Sequence, residues 1–449
     1  MSRRSGRLLA CAGLCLVTGA YACDTGHGFV KDDFVWILTS REWSGLFGAA
    51  TGFFRPVVSV SFAIDHALFG RQPLGYGLTN LAILLACVGT IAWLFQALKL
   101  PVGVAGGAAL VWALNFHGIN MAVLWTSGRT ALLLTVWAAA AAWAWTRGSR
   151  VMSACFTTLA MWSKEEAFVL PAVLTVWALI DARADRARDG GRVLRDTWLI
   201  WVAWIVSLAL RARSGAFTPS TAPAIYRYQF DLGTFSSNAL EYADRVGTTP
   251  LLVMLVFWLA AGRPRVSMGA GARGLALKGG VWMLFAFAPT ILLPGRSSLY
   301  VVMPSVGAVL MLAALAADVV PGLAPAALKR AAIVLLLTFA ALLPVYHARN
   351  QRYVREADLS SAIAGALVQI AGSRSDGGLV VIQDPRAGLP TAEQALGTLA
   401  DRAALLMTDG KIQAWIDPPP AELLSTAAPD LSQAIATIAV ESGRVRRIR

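Results

Sequence analysis

The chain has 449 residues and a formal net charge of +13, and 57% of its residues are apolar while only 14% are charged. An ordinary soluble domain carries about 25% charged residues, so this composition excludes a typical soluble protein and indicates a polytopic membrane protein. The basic residues fall in short connections between apolar segments, which argues against nucleic acid as a partner.

Apolar stretches of helix length recur along the chain, and a helix needs about 20 apolar residues to cross a hydrocarbon layer of roughly 30 Å. They predict an all-α polytopic membrane bundle with about eleven transmembrane helices. The predicted segments are 8–22, 75–97, 102–121, 129–146, 150–162, 166–181, 197–211, 249–262, 279–293, 301–319 and 330–346. The fifth and sixth are short and flank the sequence SKEE, which is typical of a re-entrant or strongly tilted pair.

The N-terminus is open to more than one interpretation. Its basic start, short apolar run and Ala20-Tyr21-Ala22 fit a cleavable signal peptide as well as a retained first helix. A lipoprotein-type site at Cys23 is a third interpretation. We favour the retained helix, because the charges of the following connections then alternate consistently.

Lysine and arginine concentrate in alternating connections, which predicts a cytoplasmic N-terminus in the inner or plasma membrane. The basic connections are 3–7, 99, 147–150, 181–196, 262–274 and 329–330. The opposite, outer side receives the long first loop 24–74 together with 115–129, 163–166, 211–249, 294–300 and the C-terminal tail. Every polar group suited to chemistry therefore lies on the predicted outer face.

The tail differs from the rest of the chain, because its apolar runs are short. Segments 379–383 and 411–416 predict strands, and 391–407 predicts an amphipathic helix. The expected organisation is a transmembrane domain, 1–346, followed by a small extracytoplasmic α/β soluble domain, 347–449.

Two adjacent carboxylates, Asp32 and Asp33, stand early in the first loop. Their mutual repulsion keeps one of them able to accept a proton near neutral pH, as a base acting on an acceptor hydroxyl requires. The alternative is a solvated loop end or a helix N-cap, a position that aspartate favours.

Further ionisable residues lie near the predicted outer ends of helices. Lys164 and Glu165 sit in the SKEE turn, where charged groups at membrane depth usually face a cavity; the alternative is an interfacial turn with a snorkelling lysine. An arginine fork matches phosphate oxygens, although each arginine taken singly also fits an interfacial anchor. The candidate phosphate-binding residues are Arg129, Lys164, Arg211 and Arg296. Arg55, His117 and Tyr300 are weaker candidates for the same pocket.

Metal binding has little support in the sequence. The five cysteines show no CxxC spacing, and no histidine, aspartate and glutamate cluster has the spacing of a ligand set. A divalent metal is compatible with the chemistry, but no cofactor is required by the residues.

Four strings in the chain resemble one known family, in the family's order. They are FFRPVVSVSFAIDHALFGRQPLGYGLTNL at 53–81, WTSGRTALLL at 125–134, AMWSKEEAFVLP at 160–171 and LLPGRSSLYVVMPSVG at 292–307. These strings are similar to motifs of the O-mannosyltransferases with transmembrane and tetratricopeptide-repeat regions, and of their bacterial relatives, in the GT-C class of glycosyltransferases. The resemblance covers roughly residues 50 to 310.

This resemblance implies a polytopic enzyme that uses a polyprenyl-phosphate-linked sugar on the outer face of the membrane. Asp32 and Asp33 match the family's acidic pair in the first outer loop, where an aspartate acts as the acceptor base. The family's other polar motif positions are matched by Arg129, Lys164, Glu165 and Arg296.

The chain also departs from the family. Met121 stands where a glutamate is expected, Thr130 where an aspartate follows the arginine, and Gly77 where a histidine precedes the retained Asn80. A repeat array is missing from the sequence. These departures argue against protein O-mannosylation and against the family's exact set of catalytic residues. They leave the expected fold largely unchanged.

Two functions follow from these observations. The first is the transfer of a sugar, with inversion, from a polyprenyl-phosphate donor to a hydroxyl of a lipid, glycan or protein acceptor. An aspartate is the base, and the enzyme is embedded in the lipid bilayer. The second is a non-catalytic, transport or assembly protein on the same helical frame, which the missing glutamate at Met121 favours. Paired inverted halves, expected of a transporter, are not visible in the sequence.

Overall fold

The computed structural model describes residues 3–50, 52–184, 190–218, 220–373, 377–386, 388–421 and 428–448. The predicted basic connection 181–196 therefore lies partly outside the described residues, at 185–189. Within the described part, the chain is mostly helical, with a two-stranded hairpin near the N-terminus and a four-stranded sheet near the C-terminus.

Seventeen α-helices are present among the described residues. The first nine are α1 (Arg3–Tyr21), α2 (Asp33–Thr39), α3 (Trp43–Leu46), α4 (Pro56–Phe69), α5 (Pro73–Ala97), α6 (Val102–Ala113), α7 (Ile119–Leu124), α8 (Arg129–Thr146) and α9 (Arg150–Met161). The others are α10 (Leu170–Ala184), α11 (Gly190–Arg213), α12 (Leu232–Ala260), α13 (Ala270–Phe287), α14 (Pro304–Val319), α15 (Pro325–Gly372), α16 (Ala392–Leu396) and α17 (Ala400–Thr408). The strands are β1 (Ala49–Ala50), β2 (Phe53–Phe54), β3 (Gly378–Gln383), β4 (Ile412–Asp417), β5 (Ala434–Glu441) and β6 (Arg444–Arg447).

Six helices in the described part of the chain are long and apolar enough to cross a membrane. They are Gly6–Asp24, Pro73–Ala97, Val193–Arg213, Leu232–Ala260, Ser298–Gly322 and Pro325–Gly372. Each of the eleven predicted segments overlaps a helix, but α9 has 12 residues and rises only about 18 Å at about 1.5 Å per residue. The polytopic helical class is confirmed, whereas eleven crossings remain a prediction.

Close packing between helices depends on small residues and on satisfied polar groups. A Cβ on Gly279 of α13 would lie 2.6 Å from the carbonyl oxygen of Gly307 on α14, so these two backbones touch only because both residues lack side chains. The buried indole of Trp112 donates from Nε1 to the carbonyl oxygen of Val302, at 3.0 Å. The bundle core therefore has little freedom for larger side chains at this contact.

Helix α1 lies at the periphery of the bundle, and its C-terminal end is buried against other helices. Val17, Ala20 and Tyr21 are fully buried, and the Tyr21 hydroxyl donates to the carbonyl oxygen of Ala113, at 2.9 Å. Retention of α1 as a first helix stays a prediction.

The C-terminal sheet has the strand order β4-β3-β5-β6, with β3 parallel to β4 and β5, and β5 antiparallel to β6. The predicted strands match β3 and β4, so a small α/β unit is present. The predicted helix 391–407 is divided into α16 and α17, because Gly397 has a φ of +62°, which a right-handed helix does not allow. Strands β5 and β6 were not predicted.

The first loop and the C-terminal unit share one apolar core. Phe34 and Ile37 of α2 pack in the same buried cluster as Leu359, Ile363 and Ile382. Helix α15 runs without interruption across residues 346 and 347, so the predicted domain boundary lies within a helix. The C-terminal unit consequently supports the loop that carries the two aspartates.

We predict that Ile363→Ala destabilises the loop that contains α2. Removing a fully buried isoleucine leaves a cavity and costs about 2–5 kcal/mol, and this cost falls on the core shared with α2. Thermal unfolding of the purified protein and limited proteolysis of the first loop should both show the loss. Val368→Ala, on the exposed face of the same helix, is the matched control, and equal behaviour of the two variants would contradict a shared core.

Candidate functional site

A cavity of about 590 Å³ lies at the end of the bundle formed by the predicted outer connections, and we call it the outer cavity. Its charged lining residues are the cations Arg55, Lys164, Arg211 and Arg227 and the carboxylates Asp32, Glu165 and Glu166. Its apolar lining includes Phe168, Val169, Trp204, Leu208, Pro289 and Leu293. One cavity therefore presents both charged and apolar groups to a ligand.

The charged groups come from connections that are distant in sequence. Asp32 directly precedes α2, and Arg55 directly precedes the Pro56 that begins α4. Lys164 and Glu165 lie between α9 and α10, and Arg211 lies in the last turn of α11. The bundle thus assembles at one end the residues that the sequence separates by more than 150 positions.

Glu165 is the centre of an ion-pair network in the outer cavity. Nε of Arg55 donates to both of its oxygens, at 3.3 Å from Oε1 and 3.1 Å from Oε2, and Nη2 donates to Oε2, at 2.5 Å. Arg211 donates from Nη1 to Oε1, at 3.0 Å. One carboxylate thus orients two guanidinium groups, each of which has further N–H donors.

The neighbouring pair in the SKEE turn is more deeply buried. Lys164 Nζ lies 2.6 Å from Oε1 of Glu166, and it also lies 4.9 Å from the centre of the Tyr300 ring. The ring face attracts the ammonium, so Tyr300 holds the lysine at the cavity wall. Glu166 was not among the predicted site residues, although it stands next to Glu165.

The connection between α11 and α12 covers part of the outer cavity. The backbone N–H of Phe217 donates to the carbonyl oxygen of Gly52, at 2.8 Å, and Tyr226 packs edge-on against Phe53, with ring centres 5.2 Å apart. Arg227 follows Tyr226 and is exposed at the cavity lining.

Arg227 is a cavity residue that sequence reasoning missed. Its Nε donates to the carbonyl oxygen of Ala222, at 2.7 Å, and it forms no ion pair with any described residue. The signal was the string YRYQF in a predicted outer connection, where an arginine lies between tyrosines. Its charge is thus not offset by a carboxylate in the described structure.

Asp33 is fully buried and does not line the outer cavity, in contrast to the partly exposed Asp32. Its Oδ1 accepts from the backbone N–H of Ser127, at 2.7 Å, and from the Ser127 hydroxyl. Its Oδ2 accepts from the backbone N–H of Val30, at 2.9 Å. Burial raises the pKa of Asp33 to about 7 despite these hydrogen bonds, with a small contribution from Asp32.

Arg129 is also fully buried outside the cavity lining. Its Nη2 lies 2.6 Å from Oδ2 of Asp65 and donates to the carbonyl oxygen of Tyr76, at 3.2 Å. The guanidinium stacks 4.4 Å from the centre of the Phe62 ring. Removing one member of such a buried pair lowers the free energy of unfolding by about 3–5 kcal/mol. The surroundings of Arg129 therefore indicate a role in stability.

Two other predicted residues lie away from the outer cavity lining. Arg296 donates to Glu241, at 3.0 Å, and to Oδ1 of Asn238, at 2.9 Å. Nδ1 of His117 lies 3.3 Å from Nη2 of Arg349. Six predicted site residues line the cavity: Asp32, Arg55, Lys164, Glu165, Arg211 and Tyr300. The roles proposed for all ten from the sequence remain hypotheses.

Metal ligands do not cluster in the described part of the chain. Among those residues, no three of the histidine, cysteine, aspartate and glutamate side chains are grouped so that they could hold an ion. Two carboxylates of the outer cavity, Glu165 and Glu166, are instead paired with cations.

The helical fold is similar to that of solved GT-C glycosyltransferases, which is the fold that the sequence resemblance implies. Among solved structures, ArnT from Cupriavidus metallidurans in the apo state is similar, with a TM-score of 0.55 and 16% identity. The match covers 96% of this chain and 91% of that one. At this identity the similarity concerns the fold alone.

Two further structures give weaker matches. ArnT from Cupriavidus metallidurans bound to undecaprenyl phosphate has a TM-score of 0.49 and 14% identity, over 98% of this chain and 96% of that one. Arabinofuranosyltransferase AftD from Mycobacteria has a TM-score of 0.46 and 17% identity over 86% of this chain, which spans only 30% of AftD. No family model matches the sequence, and no curated protein matches it.

We predict that the stability of the protein falls as the pH rises because of Asp33. The ordinary pKa of an aspartate is 3.8, whereas the pKa of Asp33 in the folded protein is about 7. The folded state therefore binds the proton more tightly than the unfolded state. The stabilisation is complete below about pH 4 and is lost as the pH rises to 7. Unfolding temperatures measured from pH 5 to pH 8 should therefore fall for the native protein and fall less for Asp33→Asn.

The matched control for this measurement is Asp401→Asn, because Asp401 is exposed on α17. Its pH profile should follow that of the native protein. An unchanged slope in Asp33→Asn would show that Asp33 does not titrate between folded and unfolded states.

Proposed function

We propose that the protein transfers a sugar from a polyprenyl-phosphate-linked donor to an acceptor hydroxyl within the outer cavity. The observation that carries this proposal is the meeting, in one cavity, of a carboxylate and an arginine of the first loop with three cations from other connections. The GT-C fold supports the proposal, since it is a fold of membrane-bound glycosyltransferases.

Asp32 is the proposed base. The two adjacent aspartates have different surroundings, because Asp33 is held inside by Ser127 and Val30 while Asp32 lines the cavity. A base must reach the proton that it removes, and only the cavity-lining carboxylate is accessible to a ligand there. Asp33 then positions the backbone that carries Asp32.

The cations are the proposed site of the donor phosphate. Arg55 and Arg211 share Glu165, and Lys164 is paired with Glu166, so two carboxylates face three cations and one of these three positive charges is not compensated by them. Arg227, which forms no ion pair with a described residue, adds a further positive charge. Guanidinium groups bind phosphate through two parallel N–H donors, and Arg227 retains donors beyond the one used by Ala222.

The apolar part of the cavity lining fits the lipid part of such a donor. Trp204 and Leu208 lie on α11, a candidate membrane span. Leu208 both lines the cavity and is 42% exposed, so an apolar chain that leaves the cavity can contact it. A polyprenyl chain bound there would place its phosphate toward Arg211, one turn further along α11.

The proposed reaction is an in-line displacement. Asp32 takes the proton of the acceptor hydroxyl, and the acceptor oxygen forms a bond to the anomeric carbon. The bond from that carbon to the phosphate oxygen breaks, and the polyprenyl phosphate leaves with both electrons. Cations arranged before the reaction stabilise the charge on this leaving group, and the anomeric configuration is inverted.

The proposed orientation places the outer cavity and the C-terminal unit outside the cytoplasm and the N-terminus inside it. The support is the distribution of lysine and arginine, since the basic connections lie at the opposite end of the helices that line the cavity. The acceptor then comes from the cell envelope.

We predict that Asp32→Asn abolishes sugar transfer while expression and folding are retained. Loss of a general base lowers the rate by about 10²–10⁴-fold. The measurement is mass analysis of surface glycans in a deletion strain complemented with each variant, together with in vitro transfer from polyprenyl-phosphate sugars. The matched control is Asp358→Asn, an exposed aspartate outside the cavity, and transfer by Asp32→Asn at the native rate would overturn the base assignment.

We also predict that Arg227→Gln raises the KM for the donor about tenfold or more, because a hydrogen bond to a charged group contributes about 1.5–3 kcal/mol. The matched control is Arg213→Gln, an exposed arginine at the end of α11 that does not line the cavity. Equal effects of the two substitutions would exclude a specific phosphate contact. A native protein that neither transfers sugar nor binds a polyprenyl phosphate would instead favour the non-catalytic alternative.

A further inference from the structure

A second cavity, of about 720 Å³, lies in the helical bundle and is separate from the outer cavity. Its lining comes from the α5–α6 and α8–α9 connections and from α10, α11, α13 and α14. Its charged lining residues are Lys99, Arg150, Lys278, Asp181, Asp196 and Asp318. We call it the basic-end cavity, because the predicted basic connections surround it.

The two cavities lie at opposite ends of the same helices. Helix α8 contributes Thr130 to the outer cavity and Trp145 to the basic-end cavity, and α11 contributes Arg211 and Asp196 in the same way. Fifteen residues of helix separate Thr130 from Trp145, which corresponds to about 22 Å at about 1.5 Å per residue. A ligand of the basic-end cavity is therefore not the ligand of the outer cavity.

The carboxylates of the basic-end cavity are already engaged by other groups. Nζ of Lys278, a residue only 7% exposed, lies 2.7 Å from Oδ1 of Asp181. Nη2 of Arg150 donates to Oδ2 of Asp196, at 3.1 Å. Asp318 accepts from the backbone N–H of Gly269.

Although the three cations and three carboxylates of the lining balance formally, Lys99 does not pair with any of these carboxylates. It is exposed at the cavity lining and forms no ion pair with any residue that the structure describes. An excess of positive charge comes from the exposed flanking residues Arg147 and Arg273. The local charge therefore favours an anionic ligand.

Apolar side chains exposed beside the cavity indicate what kind of anion fits. Leu179 follows the lining residue Ala178, and Leu277 precedes the lining residue Lys278. Their exposed fractions are 44% and 55%, and Leu194, next to the lining residue Val193, is 71% exposed. An anion that carries acyl chains can cover these side chains, whereas a free phosphate ion cannot.

We propose that the basic-end cavity binds the headgroup of an anionic phospholipid. The phosphate contacts Lys99 and Arg150, and the acyl chains lie over the exposed leucines of α10, α11 and α13. Basic pockets between membrane helices bind anionic headgroups in this way. This site is independent of sugar transfer and of Asp32.

The test uses the full-length protein in phosphatidylcholine nanodiscs that contain increasing fractions of phosphatidylglycerol. Thermal unfolding measures the stabilisation of the protein by lipid, and native mass spectrometry of the released protein measures the number of bound lipids. A ligand that binds only the folded state raises the unfolding temperature, so phosphatidylglycerol should stabilise the native protein. Lys99→Gln and Arg150→Gln should each weaken the apparent affinity about fivefold, as expected for one lost contact near an anionic surface.

The matched control is Arg195→Gln, which removes an exposed charge from the same end without altering the cavity lining. Equal weakening by Lys99→Gln and Arg195→Gln would overturn the site in favour of a general charge effect. Stabilisation by inorganic phosphate in phosphatidylcholine, to the same degree as by phosphatidylglycerol, would overturn the lipid assignment. Asp32→Asn should keep the native lipid response, so failure of the proposed transferase does not affect this result.

Discussion

The buried carboxylate of Asp33 is the contact that the arrangement of the outer end depends on. It joins the first loop to the start of α8, because the same side chain accepts from Val30 in the loop and from Ser127 in the turn before the helix. A buried carboxylate that satisfies several N–H and O–H donors fixes their positions more firmly than a solvated one. Asp32, one residue earlier, is thereby held at the cavity.

Charge compensation distinguishes the structural cations from those suited to a ligand. Arg129 is fully buried, and Asp65 together with backbone carbonyl oxygens uses its donors. The outer cavity has a different balance, since Glu165 serves two arginines and Arg227 forms no ion pair with a described residue. A bound phosphate would complete this balance, because desolvated charges require partners. The location of uncompensated charge is therefore more informative than the number of arginines.

The fold class could be predicted from the sequence, because the length of an apolar segment depends only on neighbouring residues. Helix ends were less accessible, and α15 shows the reason. The prediction ended this helix at 346, where the apolar run stops, yet the helix continues to Gly372. Polar residues end a membrane crossing without ending a helix, and even Pro344 lies within α15 without ending it. Gly397 is the opposite case, since one residue with a positive φ divides a continuous amphipathic pattern.

The site residues could be predicted only in part, because the residues that pair with them are distant in sequence. The dipeptide at 32–33 does not reveal which aspartate turns inward; that depends on α2 beginning at Asp33 and on Ser127, 94 residues away. The arginine of the TSGR turn matched a motif, but its partner Asp65 lies 64 residues earlier. Arg227 carries no motif, and its place in the cavity follows from the contact of Phe217 with Gly52. Motifs identified the connections that meet, whereas burial decides which side chain of each connection faces the ligand.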